Sequence, residues 1–495
     1  MSTDDGGLFE LIPEHVADAD ADADARRAGD GSGKTFRAFD PGQVLLLPPS
    51  LDEWLPGGHL ARFIADLVDE HLDLSEFYAA YDQRRGGPPY DPRLMVRILL
   101  YGYTTGVRSS RKLEAACTDV VAFRWLAAGS APDFRAIGRF RKKHLSALGN
   151  LFLAALSLCQ AAEMVSLGVV ALDGTKVRAN ASRRKAMSYA RLTQKEKILA
   201  VEVSAMLADA QRVDDAEDAK FGKDRRGDEL PEDLRRKESR LAKLRQAKAD
   251  LEAEARERAE AAAEAKARAA GADEEQVAER VAAAGAAAQP AAKAQRNFTD
   301  PESRIMKTAD GSFHQSYNAQ TVVDADHQVI VATDLTDVGN DVASLLPMVT
   351  ETIANTGTTP GQVLADAGYT SEANCDAAAQ ITAESGTEFF IAPGRTKHDD
   401  PAPVAPRGRI PKSATPKQRM ARKLKTKKGR AAYARRKAVV EPVFGQISTL
   451  QGKHVLLRGL DSARGEWLLI ATCHNLRKLH HHLGADGLTT LHTAG

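Results

Sequence analysis

Three acidic residues stand where metal-dependent chemistry would need them. Asp173 closes the apolar, β-branched run Val165-Ser166-Leu167-Gly168-Val169-Val170-Ala171-Leu172, and Asp366 follows the short run Gln362 to Ala365. Runs of this kind predict buried strands. Ligand sites in open α/β sheets gather at the carboxyl ends of strands, so the two aspartates are expected to converge. Two carboxylates held together repel, and one pKa rises unless a divalent cation stabilises both in ionised form. An all-oxygen set suits Mg2+ or Mn2+ rather than zinc. Glu441 is the third acid. Around it Val440, Val443 or Phe444, Ile447 and Leu450 recur at helical spacing, while Lys437, Glu441, Gly445 and Ser448 share the other face. Glu441 therefore points away from the apolar stripe, and Pro442 predicts a kink or a helix start beside it. Three such acids can clamp two metal ions about 4 Å apart, one activating a water or 3′-hydroxyl and one stabilising the leaving oxygen. Phosphodiester transfer is the chemistry that suits this clamp. Any one of these acids alone is more often a cap, a turn or a surface residue, and Glu466 is the next acid to consider should Glu441 not serve.

The elements that must position these residues follow in a readable order. After the strand ending at Asp173, the chain from about Ser188 to Ala294 is rich in Ala, Glu, Lys and Arg, with Leu192, Leu199 and Met206 spaced by seven. Leu234 with Leu241, and Leu244 with Leu251, repeat that spacing. Two long helices are predicted, broken at Gly222, Gly227 and Pro231, and an antiparallel hairpin or coiled coil is the economical arrangement. Strand signals resume at Ser316 to Val323 and Gln328 to Thr333, joined by the polar turn Asp324 to His327. A helix over Leu345 to Ile353, the strand before Asp366, a further helix and a strand at Glu388 to Ala392 complete the pattern. The expected fold is α/β: a ribonuclease-H-like catalytic domain with a helical coiled-coil insertion after its first strand, preceded by an all-α DNA-binding domain. The boundaries expected are an acidic disordered tail at 1–35, the helical domain at 36–160, the catalytic domain at 161–187 and 297–482, the insertion at 188–296 and a flexible tail at 483–495.

Charge is segregated rather than balanced, despite a formal net charge of only +1 over 495 residues. From Arg407 to Lys437, 14 of 31 residues are Lys or Arg and none is acidic. A run of this kind attracts phosphate without regard to base sequence and with steep salt dependence. Lys425, Lys427, Lys428, Arg430, Tyr433, Arg436 and Lys437 lead straight to Glu441, so phosphate drawn there is delivered beside the acids. In the helical domain, Ser109-Ser110-Arg111 offers a helix cap and Pro132-Asp133 opens a helix carrying Arg135, Arg139, Arg141, Lys142 and Lys143. A helix-turn-helix that reads a major groove is one reading, and a packing domain with a basic face is the other. Asp341, after Asn340 and before a helix, is expected to be a helix N-cap. His480, His481 and His482 fan out around a helix and are expected at the surface.

The blocks Ala171-Leu172-Asp173-Gly174-Thr175-Lys176, Ala365-Asp366-Ala367-Gly368-Tyr369 and Val440-Glu441-Pro442-Val443-Phe444-Gly445 closely resemble the three catalytic blocks of insertion-sequence DDE transposases. The resemblance extends to Phe123-Arg124, Pro132-Asp133-Phe134, Arg139-Phe140-Arg141, Asn297 to Ser303, Tyr317-Asn318-Ala319-Gln320 and His474-Asn475-Leu476. It implies that Asp173, Asp366 and Glu441 hold two Mg2+ or Mn2+ ions and carry catalysis. The family also has a tyrosine, arginine, glutamate, lysine signature whose basic groups contact DNA phosphate. Here Tyr433 and Arg436 lie one residue further from Glu441 than that pattern, Lys437 fills the arginine position, and Ser448 stands where lysine is expected, with Lys453 as a substitute. The partners implied are double-stranded DNA, as terminal inverted repeats and target, and a second copy of the chain on paired ends. A metal-dependent nuclease of the same fold and a transposase-derived DNA-binding protein without activity are the alternative functions.

Four widely spaced cysteines form neither a CxxC pair nor a framework, which predicts reduced thiols. No charged-then-apolar leader opens the chain and no run nears about 18 apolar residues, so a bacterial cytoplasmic, nucleoid-associated protein with no membrane partner is expected.

Overall fold

A computed structural model describes residues 50–81, 88–221, 232–394, 407–484 and 487–491. The expected acidic tail, the break at Gly222, Gly227 and Pro231, and residues 485–486 and 492–495 of the final tail lie outside these residues.

Eight described strands form one six-stranded sheet and one small ribbon. They are β1 (Val169–Arg178), β2 (Ala186–Ser188), β3 (Gln295–Asn297), β4 (Arg304–Lys307), β5 (Phe313–Asp324), β6 (Ile330–Thr336), β7 (Gln362–Ala365) and β8 (Glu388–Ile391). β1 lies between β5, which runs antiparallel to it, and β7, which runs parallel; β8 lies parallel on the far side of β7. β6 and β4 pair antiparallel with the other edge of β5. This order and these senses are consistent with a ribonuclease-H-like sheet. β4 and the β2–β3 ribbon were not anticipated, because three or four residues of mixed polarity leave no periodic signal.

β1 does not end at Asp173, as its apolar run suggested, but continues five residues further. The reason lies in its two neighbours. Its parallel pairing with β7 stops at Leu172 opposite Ala365, while β5 follows it from Asp173 opposite Thr321 to Arg178 opposite Ser316. Asp173 is therefore the first residue past the parallel ladder, and beyond it one flank of β1 is open. The loop after Leu450 closes the far end, where Arg178 N donates to Lys453 O and Val455 N to Arg178 O, each at 2.9 Å.

A second expectation is corrected at Pro442. Of the two outcomes expected there the helix start is excluded, because the helix Lys427–Leu450 contains this proline and starts where Thr426 accepts a hydrogen bond from Gly429 N. Proline lacks the N–H that would reach the carbonyl four residues back. That carbonyl, on Ala438, instead accepts a bond from Gln328 Nε2 at 3.1 Å, from the turn between β5 and β6. The basic run is therefore largely helical, since Pro416–Lys425 precedes this helix, with Thr415 and Gln418 forming a capping box.

The helical region shares its core with the sheet. A continuous buried cluster runs from Leu55 through the helix Pro92–Thr105 and the strands to Leu479 and Leu488. The described residues from Leu51 onward make one compact unit. The helix Leu460–Leu483 joins these parts: it is buried along most of its length and packs on the helices Leu145–Ala161 and Pro92–Thr105 and on β6. His474 and Asn475 seat it: Asn475 Oδ1 accepts from Ile330 N and its Nδ2 donates to Ile330 O, while the His474 ring lies against Gln328 O. The helix Ser110–Asp119 is not joined by a short turn to Phe134–Lys143, as a helix-turn-helix requires, because Val121–Leu126 intervenes.

Between β1 and β5 stand the helices Tyr189–Phe221, Glu232–Ala269 and Glu274–Ala287, the third of them unexpected. Leu192, Leu244, Ala247 and Leu251 form one small cluster there, and Val203 with Leu241 another, both separate from the main core. All four cysteines are buried free thiols. No single described helix is long and apolar enough to cross a membrane.

Candidate active site

The open flank of β1 is where the acids gather. Asp173 Oδ1 accepts from Gly174 N at 2.8 Å, and its Oδ2 takes the Nη1 of Arg436 at 2.6 Å. Burial pushes its carboxyl above the usual range and Asp366 adds to this, while Arg436 opposes it. Asp366, directly after β7, caps the turn Ala367–Tyr369 by accepting from Gly368 N at 2.7 Å. Glu441 lies on the helix that crosses β1; its side chain is 53% exposed, and its Oε1 is 3.8 Å from Arg436 Nη2. The two aspartates thus meet through the sheet, and Arg436 links one of them to the glutamate.

Arg436 corrects a sequence expectation. It was placed among the DNA-contacting groups, yet its side chain is only 9% exposed and is turned onto Asp173. The one-residue displacement from the family spacing explains this: at 100° per residue, position 436 lies on the sheet side of the helix while Lys437 is exposed. Tyr433 is half-buried beside the Arg436 guanidinium, 5.9 Å from ring centroid to carbon.

Arg141 is a second correction. It is buried, with Nη1 donating to the Tyr103 hydroxyl at 2.9 Å and to Arg108 O at 3.1 Å. Position 141 falls on the inner face of its helix beside Ile137 and Phe140, where a groove-contacting group cannot stand. Arg135, Arg139, Lys142 and Lys143 are exposed, although Lys143 donates to Ala80 O and lies over the Tyr81 ring. Among the basic residues near Glu441, Lys425, Lys427, Lys428 and Arg430 are exposed, and Lys428 is paired with Glu388 at 2.7 Å. Lys453 lies beside Arg178, five residues along β1 from Asp173, on the order of 16 Å away at strand rise. Glu466 is withdrawn from any catalytic role by its surroundings: it is buried and accepts from Tyr103, Arg108 and two backbone amides.

The site also contains groups that the sequence reading set aside. Asp341 precedes a short turn but makes no side-chain capping bond there. Its Oδ1 instead accepts from Asn318 Nδ2 and Gln320 Nε2, each at 2.7 Å, and from Lys176 Nζ at 3.3 Å. Gln320 Oε1 in turn accepts the buried Tyr369 hydroxyl. Burial pushes the Tyr369 phenol well above its ordinary value, and the charges of Asp341, Asp173 and Asp366 push it further. The signal was present in the Tyr317-Asn318-Ala319-Gln320 and Asn340-Asp341 segments. What linear spacing lacked was the register that sets Gln320 opposite Gly174 and Asn318 opposite Lys176.

The donors around this flank are carboxylate and amide oxygens, the set that a hard divalent cation takes. Among the described residues no three His, Cys, Asp or Glu side chains converge tightly enough to form a ready-made metal group. Arg436 accounts for the gap at Asp173, since its guanidinium supplies the positive charge that balances that carboxylate. Replacement of one cation by another fits the donor chemistry.

A mixed α/β sheet with aspartates directly past the last pair of its parallel β1–β7 ladder is consistent with the ribonuclease-H-like class, and two family matches identify the member. Residues 49–143 match a family described as a transposase domain, and residues 289–476 match the transposase DDE domain. The chain belongs to the DDE transposases of insertion sequences, which implies DNA as its substrate. Asp366 and Glu441 lie within the second match; Asp173 precedes it, on the other side of the helical insertion. No curated protein and no solved structure matches the chain.

Proposed function

We propose that this transposase cuts DNA at the ends of its element and joins them to a target by phosphoryl transfer at one site, with Asp173, Asp366 and Glu441 holding two Mg2+ or Mn2+ ions. The observation that carries the reading is the placement of Asp173 and Asp366 at the carboxyl edge of adjacent parallel strands, beneath the helix that bears Glu441. Bound there, the ions would activate the attacking hydroxyl and stabilise the leaving oxygen. The chain's own residues do the rest. β1 and β7 fix the two aspartates on a rigid sheet, which limits the loss of alignment during reaction. Lys425, Lys427, Arg430 and Lys437 present exposed charge along the segment that carries Glu441, and their attraction for phosphate is independent of base sequence. Arg135, Arg139 and Lys142 offer a second basic face on residues 36–160, which we read as the DNA-binding part. Two copies of the chain on paired ends would allow coordinated cutting.

The test is cleavage and strand transfer of an end-containing duplex in Mg2+ and in Mn2+. Asp173→Asn, Asp366→Asn and Glu441→Gln each remove one negative charge while keeping shape. Each is expected to lower the rate at least about a thousandfold, roughly 4 kcal/mol of transition-state stabilisation, while a gel shift shows duplex binding retained. The losses should not add, because one missing ligand already disables a shared site. Cleavage at the wild-type rate by any one variant removes that residue from the set.

A further inference from the structure

We propose that Asp341 is a fourth carboxylate of the metal site, sharing a divalent cation with Asp366 through its Oδ2. This rests on the reading of Asp173, Asp366 and Glu441 as metal-holding acids, and adds a residue to it.

The two oxygens of Asp341 have different surroundings. Oδ1 is saturated by the three donors on Asn318, Gln320 and Lys176. Oδ2 accepts no hydrogen bond among the described residues. It lies over Gly368, where a side-chain carbon would stand 2.9 Å from Asp341 Oδ2 and 2.9 Å from Asp366 Oδ1. Two carboxylate oxygens thus border one point over Gly368, and of the two only Asp366 Oδ1 takes a hydrogen bond there, from Gly368 N. Like charges so placed repel unless a cation joins them.

Glycine leaves room beside each oxygen of Asp341, Gly174 beside Oδ1 and Gly368 beside Oδ2. A carbon on Gly174 would meet Gln320 Nε2 at 2.7 Å and Asp341 Oδ1 at 2.8 Å, and a carbon on Gly368 would displace the two acids from each other. Both glycines follow a proposed metal-binding aspartate, in Asp173-Gly174 and Asp366-Ala367-Gly368. A further sign of a missing partner comes from Asn318. Its Oδ1 is fully buried without a hydrogen bond and borders the space over Gly174 beside Asp341 Oδ1, 3.2 Å from where a side-chain carbon would stand. Strand alternation puts Asp341 on the Gly174 face of β1, across the strand from Asp173. Asp366 directly follows β7, whose pairing with β1 stops at Leu172 opposite Ala365. Asp366 is near both aspartates, since its charge acts on Asp173 and its Oδ1 borders the space over Gly368 together with Asp341 Oδ2.

The test is Mn2+ binding to the metal-free full-length protein, followed by calorimetry and by electron paramagnetic resonance, without reference to cleavage. Asp341→Asn is expected to weaken Mn2+ binding at least tenfold, with Asp341→Glu restoring part of the loss. Gly368→Ala, which retains every carboxylate, is expected to weaken binding similarly and serves should Asp341→Asn not fold. Thermal melts of the metal-free variants report folding. Wild-type Mn2+ affinity in Asp341→Asn beside a loss in Asp366→Asn overturns the inference and leaves the three-acid site standing. Wild-type affinity in both overturns the inference together with the metal reading beneath it.

Discussion

Glu466 and Asp366 are carboxylates in the same compact unit, yet their oxygens meet opposite surroundings. Glu466 joins the last long helix to the helical region: Oε1 accepts from the Tyr103 hydroxyl at 3.1 Å and Arg108 Nη1 at 3.3 Å, and Oε2 from Leu456 N and Leu457 N at 2.7 and 2.9 Å. Every lone pair has a donor, and the neighbouring Arg141 holds Tyr103 from the other side. At the flank of β1, by contrast, the buried Asn318 Oδ1 has no donor among the described residues, and Asp173 shares an arginine with Glu441. A fully matched cluster makes a rigid joint. An incompletely matched cluster keeps oxygens available for something that binds, and the cost of desolvating them is offset only when it does.

The largest effect expected from breaking this contrast is at the joint. Arg108→Ala leaves the Glu466 charge buried beside a lost partner, and removal of one member of a buried ion pair costs about 3–5 kcal/mol. Urea unfolding should show that loss with the fold's slope unchanged. A change below about 1 kcal/mol would mean that the Glu466 cluster does not tie the two regions together.

The same helix gives a pH dependence. Burial pushes the His474 imidazole down to about 4 from an ordinary value of 6.5. A depressed base favours the fold where it is neutral in both states, so its contribution is fully present above about pH 6.5 and is lost as pH falls through 6.5 toward 4. The loss is at most about 3 kcal/mol, from 1.36 kcal/mol per unit. His474→Gln should flatten that part of the stability profile; an equally steep profile in the variant would assign the effect to other groups.

The smallest effect is expected at the site. Arg436→Gln removes the cation that competes for Asp173, and Mn2+ affinity should rise about tenfold, equivalent to 1.4 kcal/mol. Stability should change far less than in Arg108→Ala. A fall in Mn2+ affinity would show that Arg436 supports the site's geometry rather than competing for it.

Much of the sheet was legible because its strands are apolar runs with a carboxylate or a polar turn at one end. The hairpin of β5 and β6, the short β7 before Asp366 and β8 all fall where the pattern put them. The length of β1 was not legible, because its second half, Asp173-Gly174-Thr175-Lys176, has no apolar signature and is held as a strand by pairing with β5. Pro442 misled for a related reason: the local rule holds, but a glutamine 114 positions earlier in the chain, Gln328, satisfies the carbonyl that the proline leaves free.

The basic runs show the same boundary. Their charge and their nearness to Glu441 are properties of the chain alone, and so is the order of the acids Asp173, Asp366 and Glu441. Which arginines face solvent depends on which side of each helix is covered, and so Arg141 and Arg436 turned inward while Arg139 and Lys437 did not. Asp341 belongs wholly to the tertiary structure. It is 168 residues from Asp173 and 25 from Asp366, and only strand register and the space over two glycines bring its carboxylate among theirs. A sequence determines which side chains can bear charge and which runs must be buried, because those are local properties of each residue. The grouping of charges from distant runs is decided by how the buried faces pack, since burial of apolar surface drives folding and the polar groups follow where it places them.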